Sequence, residues 1–314
     1  MAAILEVNNL SKKFGEFSAV NGISFAIEEG EIFSLLGPNG AGKTTTISML
    51  SSLLQPTGGE AVIGGHSVTK DPMAVRNLIG VVPQEIALYE ELTARENLAF
   101  WGQMYGMGGA RLKKRADEVL AQIGLADKAN QRVKTYSGGM KRRVNIGVGL
   151  LHNPRVLYMD EPTVGIDPQS RRNILDTVKD LNKQGMTVLY TTHYMEEAAE
   201  LSDRVGIVDH GQMIALGTQK ELTRQVGERD VLRLHIGEGG EAAKLAEALR
   251  ALPGILQSSA VDHEVALMVP SAADALAPVV TKANELCVKI RSVDIQEPNL
   301  EAVFLQLTGR ALRD

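Results

Sequence analysis

The sequence predicts an α/β protein: a parallel core sheet with an antiparallel β subdomain and an inserted helical subdomain, followed by a small α+β domain. Three observations carry this. The run 32–36 reads as a strand entering a glycine loop, and apolar runs that are continuous rather than alternating, at 156–159 and 187–190, read as strands buried on both faces. Asp167-Pro168, an N-cap followed by proline at the first helical position, starts a helix between the last two, so strand, helix, strand implies a right-handed parallel crossover. The composition changes after about residue 225, with polar glycines at Gly237, Gly239 and Gly240, and a chain of 314 residues has room for about two domains.

Taken in order, residues 3–9 and 23–36 are rich in Ile, Leu, Val and Phe and open the chain as strands, with Glu29-Gly30-Glu31 placed like a hairpin turn. The run 32–36 enters Gly37-Pro38-Asn39-Gly40, and Ile47, Leu50 and Leu54 then carry helical spacing from Lys43 onward. Residues 92–153 look all-helical: Thr93-Ala94-Arg95-Glu96 is a capping box, and a second helix from Ala110 closes near Gly124. The predicted domains are 1–225, with the helical subdomain at about 87–153, and 228–314. In the second, Leu232/Leu234/Ile236 alternate, Leu245/Leu249/Leu252 have helical spacing, and 255–260 with Val265/Leu267/Val269 make a hairpin. Leu276/Val279/Val280/Ala283 are helical again and Val288/Ile290 alternate. The order β-α-β-β-α-β is a ferredoxin-like split unit. Leu300, Val303, Phe304 and Leu307 stripe a terminal helix expected to pack on its own domain.

Composition narrows the function. With 33 Lys+Arg against 38 Asp+Glu the formal charge is −5, which lacks the polycationic footprint of a nucleic-acid-coating protein. Hydrophobic residues at 44% and charged residues at 23% are ordinary globular usage. Cys287 is the lone cysteine, so neither an intramolecular disulfide nor a thiolate metal cluster forms within one chain, and a reducing compartment is expected. No run of about 18 apolar residues occurs, so a membrane role is expected to come from docking on another chain.

Gly37, Pro38, Asn39, Gly40, Ala41, Gly42, Lys43 and Thr44 spell G-x-x-x-x-G-K-[ST], followed by Thr45, between a strand and a helix. Backbone N–H groups of such a loop turn inward around phosphate oxygens. Lys43 neutralises their charge and the Thr44 hydroxyl can ligate Mg2+. Asp160 and Glu161 stand at the end of the run 156–159, where carboxylates project from the carboxyl edge of a sheet; Asp160 is placed to hold Mg2+ and Glu161 to polarise an attacking water. Tyr136-Ser137-Gly138-Gly139-Met140, followed by Lys141-Arg142-Arg143, is a second glycine-bearing helix entrance that can bind an anion.

Together, in that order, these motifs resemble the ATP-binding cassette (ABC) family over residues 3 to about 225. The resemblance implies a P-loop NTPase cassette fold and further positions. Phe14 would stack on adenine, and Gln84 would be the loop glutamine that senses Mg2+ and water. Asp167, in Gly165-Ile166-Asp167, would contact a second cassette, and His193 would bind the γ-phosphate. Two cassettes pair head to tail in this family, so Ser137, Gly138 and Gly139 of one complete the ATP site of the other. The signature departs from most members in ending on Met140 rather than Gln and beginning on Tyr136 rather than Leu. With the basic triplet and the tail Glu297-Pro298-Asn299-Leu300-Glu301-Ala302-Val303-Phe304 continuing to Arg310, it is similar to the daunorubicin-exporter type of efflux ATPase subunit.

The expectation is therefore an ATPase with ATP and Mg2+, paired with a second cassette and separately encoded transmembrane permease subunits at the cytoplasmic face of the cell membrane, exporting a drug-like cargo. The alternative is a non-transport cassette ATPase acting on ribosomes or DNA. The basic cluster Arg111, Lys113, Lys114, Arg115 reads as a solvated helix face, and Asn182-Lys183-Gln184-Gly185 lacks the carboxylate of a guanine reader.

Overall fold

The computed structural model describes residues 3–226, 230–237, 242–296 and 299–309. The chain divides into two compact units, Met1–Leu36 with Gly40–Met213, and Gly37–Asn39 with Ile214–Asp314. Strands β1 (Ala3–Phe14) and β2 (Phe17–Glu28) form a hairpin, reversed at Gly15, and β1 continues five residues past the predicted stretch. Next come β3 (Ile32–Leu36), α1 (Lys43–Leu50), β4 (Gly58–Ile63), β5 (His66–Ser67), α2 (Pro72–Leu78) and β6 (Ile79–Val82).

The expected hairpin at Glu29-Gly30-Glu31 is not one. β2 lies in a four-stranded antiparallel sheet of order β2-β1-β4-β5, whereas β3 pairs in parallel in a different sheet. A short linker between apolar runs looks the same in sequence whether the second strand folds back or changes sheet. Helix α1 stops before Leu54, because Ser52 takes a left-handed φ of 56°.

The helical insert holds α3 (Ala94–Met104), α4 (Gly109–Gln122) and α5 (Gly138–Leu150). Thr93 and Glu96 cap α3 reciprocally as predicted. The core resumes with β7 (Val156–Asp160), α6 (Pro168–Lys183), β8 (Thr187–Thr192), α7 (Met195–Leu201), β9 (Arg204–Asp209) and β10 (Gln212–Gly217). The six-stranded sheet runs β10-β9-β3-β8-β7-β6, and the pairs β9/β3, β3/β8, β8/β7 and β7/β6 are parallel. Strands β3, β7 and β8 are buried at every position, as their mainly apolar character leads one to expect for strands covered on both faces.

The second unit continues with α8 (Gln219–Val226), β11 (Asp230–Ile236), α9 (Ala242–Arg250), β12 (Gln257–Val261), β13 (Glu264–Val269), α10 (Ala272–Glu285), β14 (Ile290–Gln296) and α11 (Leu300–Thr308). Its antiparallel sheet has the order β12-β13-β11-β14, the ferredoxin-like arrangement predicted. Leu232, Leu234, Val265 and Leu267 pack there with Leu245, Leu249 and Val279 of the two helices. Leu300, Val303 and Phe304 of α11 are buried, while Leu307 is exposed. Of the residues read in sequence, Gly239, Gly240, Glu297, Pro298 and Arg310 lie outside the described ones.

Candidate active site

Three neighbouring parallel strands deliver the chemistry to one edge of the core sheet. Leu36 at the end of β3 aligns with Thr192 on β8, and Thr191 on β8 aligns with Asp160 at the end of β7. The residues that follow, Glu161 after β7 and His193 after β8, therefore emerge beside the loop that begins α1. This carboxyl edge is where ligands bind in parallel α/β sheets.

At that edge Lys43 Nζ lies 2.9 Å from Glu161 Oε1, and both side chains are buried. His193 Nδ1 lies 3.0 Å from Glu161 Oε2. A carboxylate only accepts, so Nδ1 carries the proton of that hydrogen bond. Burial alone would raise the Glu161 pKa, but the hydrogen bond from His193 and the charge and hydrogen bond of Lys43 outweigh it, bringing it from 4.5 down to about 2. Glu161 itself has a left-handed φ of 43°, an uncommon conformation for a side-chain-bearing residue. Its N–H is held by both oxygens of Thr191, at 3.0 Å from Oγ1 and 3.2 Å from the carbonyl. The same Thr191 hydroxyl donates to Asp160 Oδ1 at 2.7 Å.

The glycine loop needs its glycine at position 42. Gly42 has a φ of 101°, and a Cβ there would sit 2.5 Å from the Ala19 carbonyl oxygen. Gly42 is also the N-cap of α1, so the loop leads into a helix start, where the backbone dipole favours anions. Lys43 is buried, Thr45 half-buried and Thr44 exposed.

Gln84 follows β6 in an exposed loop at the same sheet edge, Val82 being paired with Met159. Ser137 caps α5, accepting from the Met140 N–H at 3.3 Å, and Asp167 caps α6, accepting from the Ser170 N–H at 2.9 Å. Phe14 is half exposed at the end of β1, with the Lys12 ammonium 5.2 Å from its ring centre. Among the described residues, no hydrogen bond or ion pair joins Phe14 or Ser137 to the Lys43–Glu161–His193 group. Thr44, Asp160 and Gln84 offer a hydroxyl, a carboxylate and an amide oxygen. Asp160 accepts its described hydrogen bond on Oδ1 alone, and no group of three or more His, Cys, Asp or Glu suited to a metal exists among the described residues. Sparse hard-oxygen donors fit Mg2+ bound together with substrate phosphates rather than a protein-only cage.

Sequence reasoning missed Thr191, which orders both acidic residues, and Glu197, a buried carboxylate whose Oε2 accepts from Tyr190 at 2.9 Å and Thr192 at 3.0 Å beside His193. It also missed what the basic triplet does. Lys141 pairs with Glu90 at 2.5 Å, Arg142 donates to the Pro83 and Gln84 carbonyls, and Arg143 donates to the Ile123 carbonyl at 3.1 Å. In the Arg111–Arg115 cluster, Lys114 faces solvent, but Arg115 donates to the Leu150 and Leu151 carbonyls. Asn182 is structural, donating to the Gly30 and Met186 carbonyls. Tyr136, the unusual signature residue, is buried and donates to the Lys128 carbonyl at 2.6 Å. A motif marks the residues that meet ligand, not those that hold them in place.

The ABC transporter family model matches residues 20–164. The linearmycin resistance ATP-binding protein LnrL of Bacillus subtilis is 49% identical over 99% of this chain and 100% of its own length. The chain belongs to the ABC transporter ATP-binding proteins. As an ABC cassette it is an ATPase that hydrolyses ATP for transport. The daunorubicin resistance ATP-binding protein DrrA3 of Streptomyces coeruleorubidus is 40% identical over 97% of this chain and 96% of its own. Among solved structures, the ATP-binding cassette MJ0796, a dimer in a post-hydrolysis state with ADP and Pi, is 30% identical, with a TM-score of 0.61 over 68% of this chain and 98% of that one. No helix among the described residues of this cassette is long and apolar enough to cross a membrane.

Proposed function

We propose that this chain is the ATP-hydrolysing subunit of a drug-efflux transporter, working as a head-to-tail pair of cassettes on separately encoded permease subunits at the cytoplasmic face of the membrane. The first domain, over 1–225, carries the catalysis and the domain over 228–314 supports it. The joined Lys43–Glu161–His193 group, gathered from the ends of three parallel strands, is the observation that carries the ATPase part of the reading. The near full-length similarity to linearmycin and daunorubicin resistance proteins supports export as the direction.

In this reading Phe14 stacks on adenine and the stretch from Gly37 to Thr45 cradles the phosphates through its N–H groups. Ser137, Gly138 and Gly139 of the partner cassette close over them, and Asp167 contacts the partner. Thr44, Asp160 and Gln84 would hold Mg2+, which would neutralise phosphate charge. Lys43 and His193 cannot serve Glu161 and the γ-phosphate with the same protons. When the γ-phosphate takes them, Glu161 loses the partners that depress its pKa and becomes a better base for the attacking water. Nucleotide binding thus switches on its own catalyst. ATP closes the pair and hydrolysis reopens it because the two states differ in γ-phosphate contacts.

The test is Glu161→Gln. Hydrolysis should fall by roughly 100-fold or more while MgATP, but not MgADP, drives the variant into a stable pair measured by light scattering. When pulled from gently solubilised native membranes with MgATP, that pair should bring a polytopic permease. An undiminished rate would refute the catalytic role, and capture of ribosomal proteins alone would refute the transporter.

A further inference from the structure

Arg142 is a buried basic residue whose described hydrogen bonds go to backbone carbonyls. It projects from α5, the helix that Ser137 caps, and is 4% exposed; Asn145, one turn on, is 2% exposed. The Arg142 fork donates from Nη1 to the Pro83 carbonyl at 2.9 Å and from Nη2 to the Gln84 carbonyl at 2.7 Å. Asn145 adds a hydrogen bond from Nδ2 to Pro83 O at 3.4 Å and accepts from the Ala87 N–H at 3.3 Å. The loop carrying Gln84 is therefore tied at three of its peptide groups to the signature helix.

Stability alone does not account for this arrangement. Pro83 and Gln84 are exposed, so water could satisfy their carbonyls, while burying a guanidinium costs free energy that two neutral acceptors only partly offset. Its Nε is buried without a hydrogen-bond partner. Burial lowers the Arg142 pKa, with Tyr190 and Asp160 acting against it. A planar fork fixes direction as well as distance, and what it fixes here is the backbone from which the Gln84 side chain projects.

We infer that Arg142 is a positioning residue for Gln84, strapping the Gln84 loop to the signature helix so that the two move as one piece. This rests on the role proposed above for Gln84. In a head-to-tail pair the strap has a further consequence. Gln84 serves the nucleotide bound by its own chain and Ser137 serves the nucleotide bound by the partner, so Arg142 links the two sites mechanically.

The experiment is a double-mutant cycle on ATP hydrolysis by the full chain. Arg142→Gln should lower kcat roughly tenfold and leave KM for ATP within about twofold, because adenine and phosphate contacts are untouched. Arg142→Lys, which keeps the charge but reaches at most one carbonyl, should fall between. In a Gln84→Ala background, Arg142→Gln should cost less than about twofold, since a residue acting through Gln84 has nothing left to position. Full additivity with Gln84→Ala, a wild-type rate for Arg142→Lys, or a raised KM at unchanged kcat would each overturn the strap while leaving the role of Gln84 intact. A Gln84→Ala variant that hydrolyses ATP at the normal rate would instead overturn the role of Gln84, and the strap with it. If Arg142→Gln fails to fold, the lysine variant carries the cycle.

Discussion

Glu161 is held by three neighbours and by its own backbone. Its N–H is fixed by Thr191, its two oxygens by Lys43 and His193, and its backbone is left-handed. The carboxyl pKa near 2 lies below the ordinary 4.5, so the charged form stabilises the folded state. That contribution is complete above about pH 4.5 and is lost as pH falls toward about 2. The melting-temperature gap between wild type and Glu161→Gln, measured without nucleotide, should therefore be widest near neutral pH and shrink as the pH drops through that window. A gap that widens in acid would contradict the pairing. Asp160 and Glu161 were legible from their place after an apolar run, and His193 only through the family resemblance. Thr191 was not, because a threonine inside a buried strand has no sequence mark of its own; only the alignment of β7 with β8 brings its hydroxyl to both acids.

Elements meet here by backbone approach as much as by side chains. Gly80 on β6 faces Gly149 on α5, and a Cβ at Gly80 would fall 2.2 Å from the Gly149 carbonyl oxygen. That contact seats the signature helix on the strand leading to Gln84. Gly80→Ala should cost ~1–3 kcal/mol through overpacking and lower the melting temperature. Gly108→Ala, where nothing lies within 4 Å, should change stability by less than about 0.5 kcal/mol. Thermal denaturation of both variants checks this. Strands β3, β7 and β8, the capping box on α3 and the Asp167 cap were legible because they rest on local patterns. The linker at Glu29–Glu31 was misread because pairing partners are not local: β3 takes β8 and β9, far along the chain, in place of the adjacent β2.

At the scale of the whole molecule, the proposed head-to-tail pair makes each ATP site from two chains. Lys43→Ala and Ser137→Arg variants should each be inactive alone. Mixed in equal amounts they should recover about one quarter of wild-type hydrolysis, since half of randomly formed pairs are mixed and each mixed pair keeps one intact site. A steady-state ATPase assay of the mixture decides it, and no recovery would argue against sites shared between identical chains.

The sequence by itself determined the α/β class, the helical insert, the ferredoxin-like order of the second unit and the motifs from which the phosphate-binding groups are proposed. Each of these is written in local periodicity or in residues fixed by the chemistry of a ligand. The tertiary structure alone decided which strands are neighbours, that Lys43 and His193 share Glu161, and that the basic triplet ties the signature helix to the Gln84 loop and to the rest of the insert. Those are contacts between residues tens of positions apart. The physical reason is that a strand or helix can be specified by its own residues, whereas the environment of a charge depends on which distant segments exclude water from it.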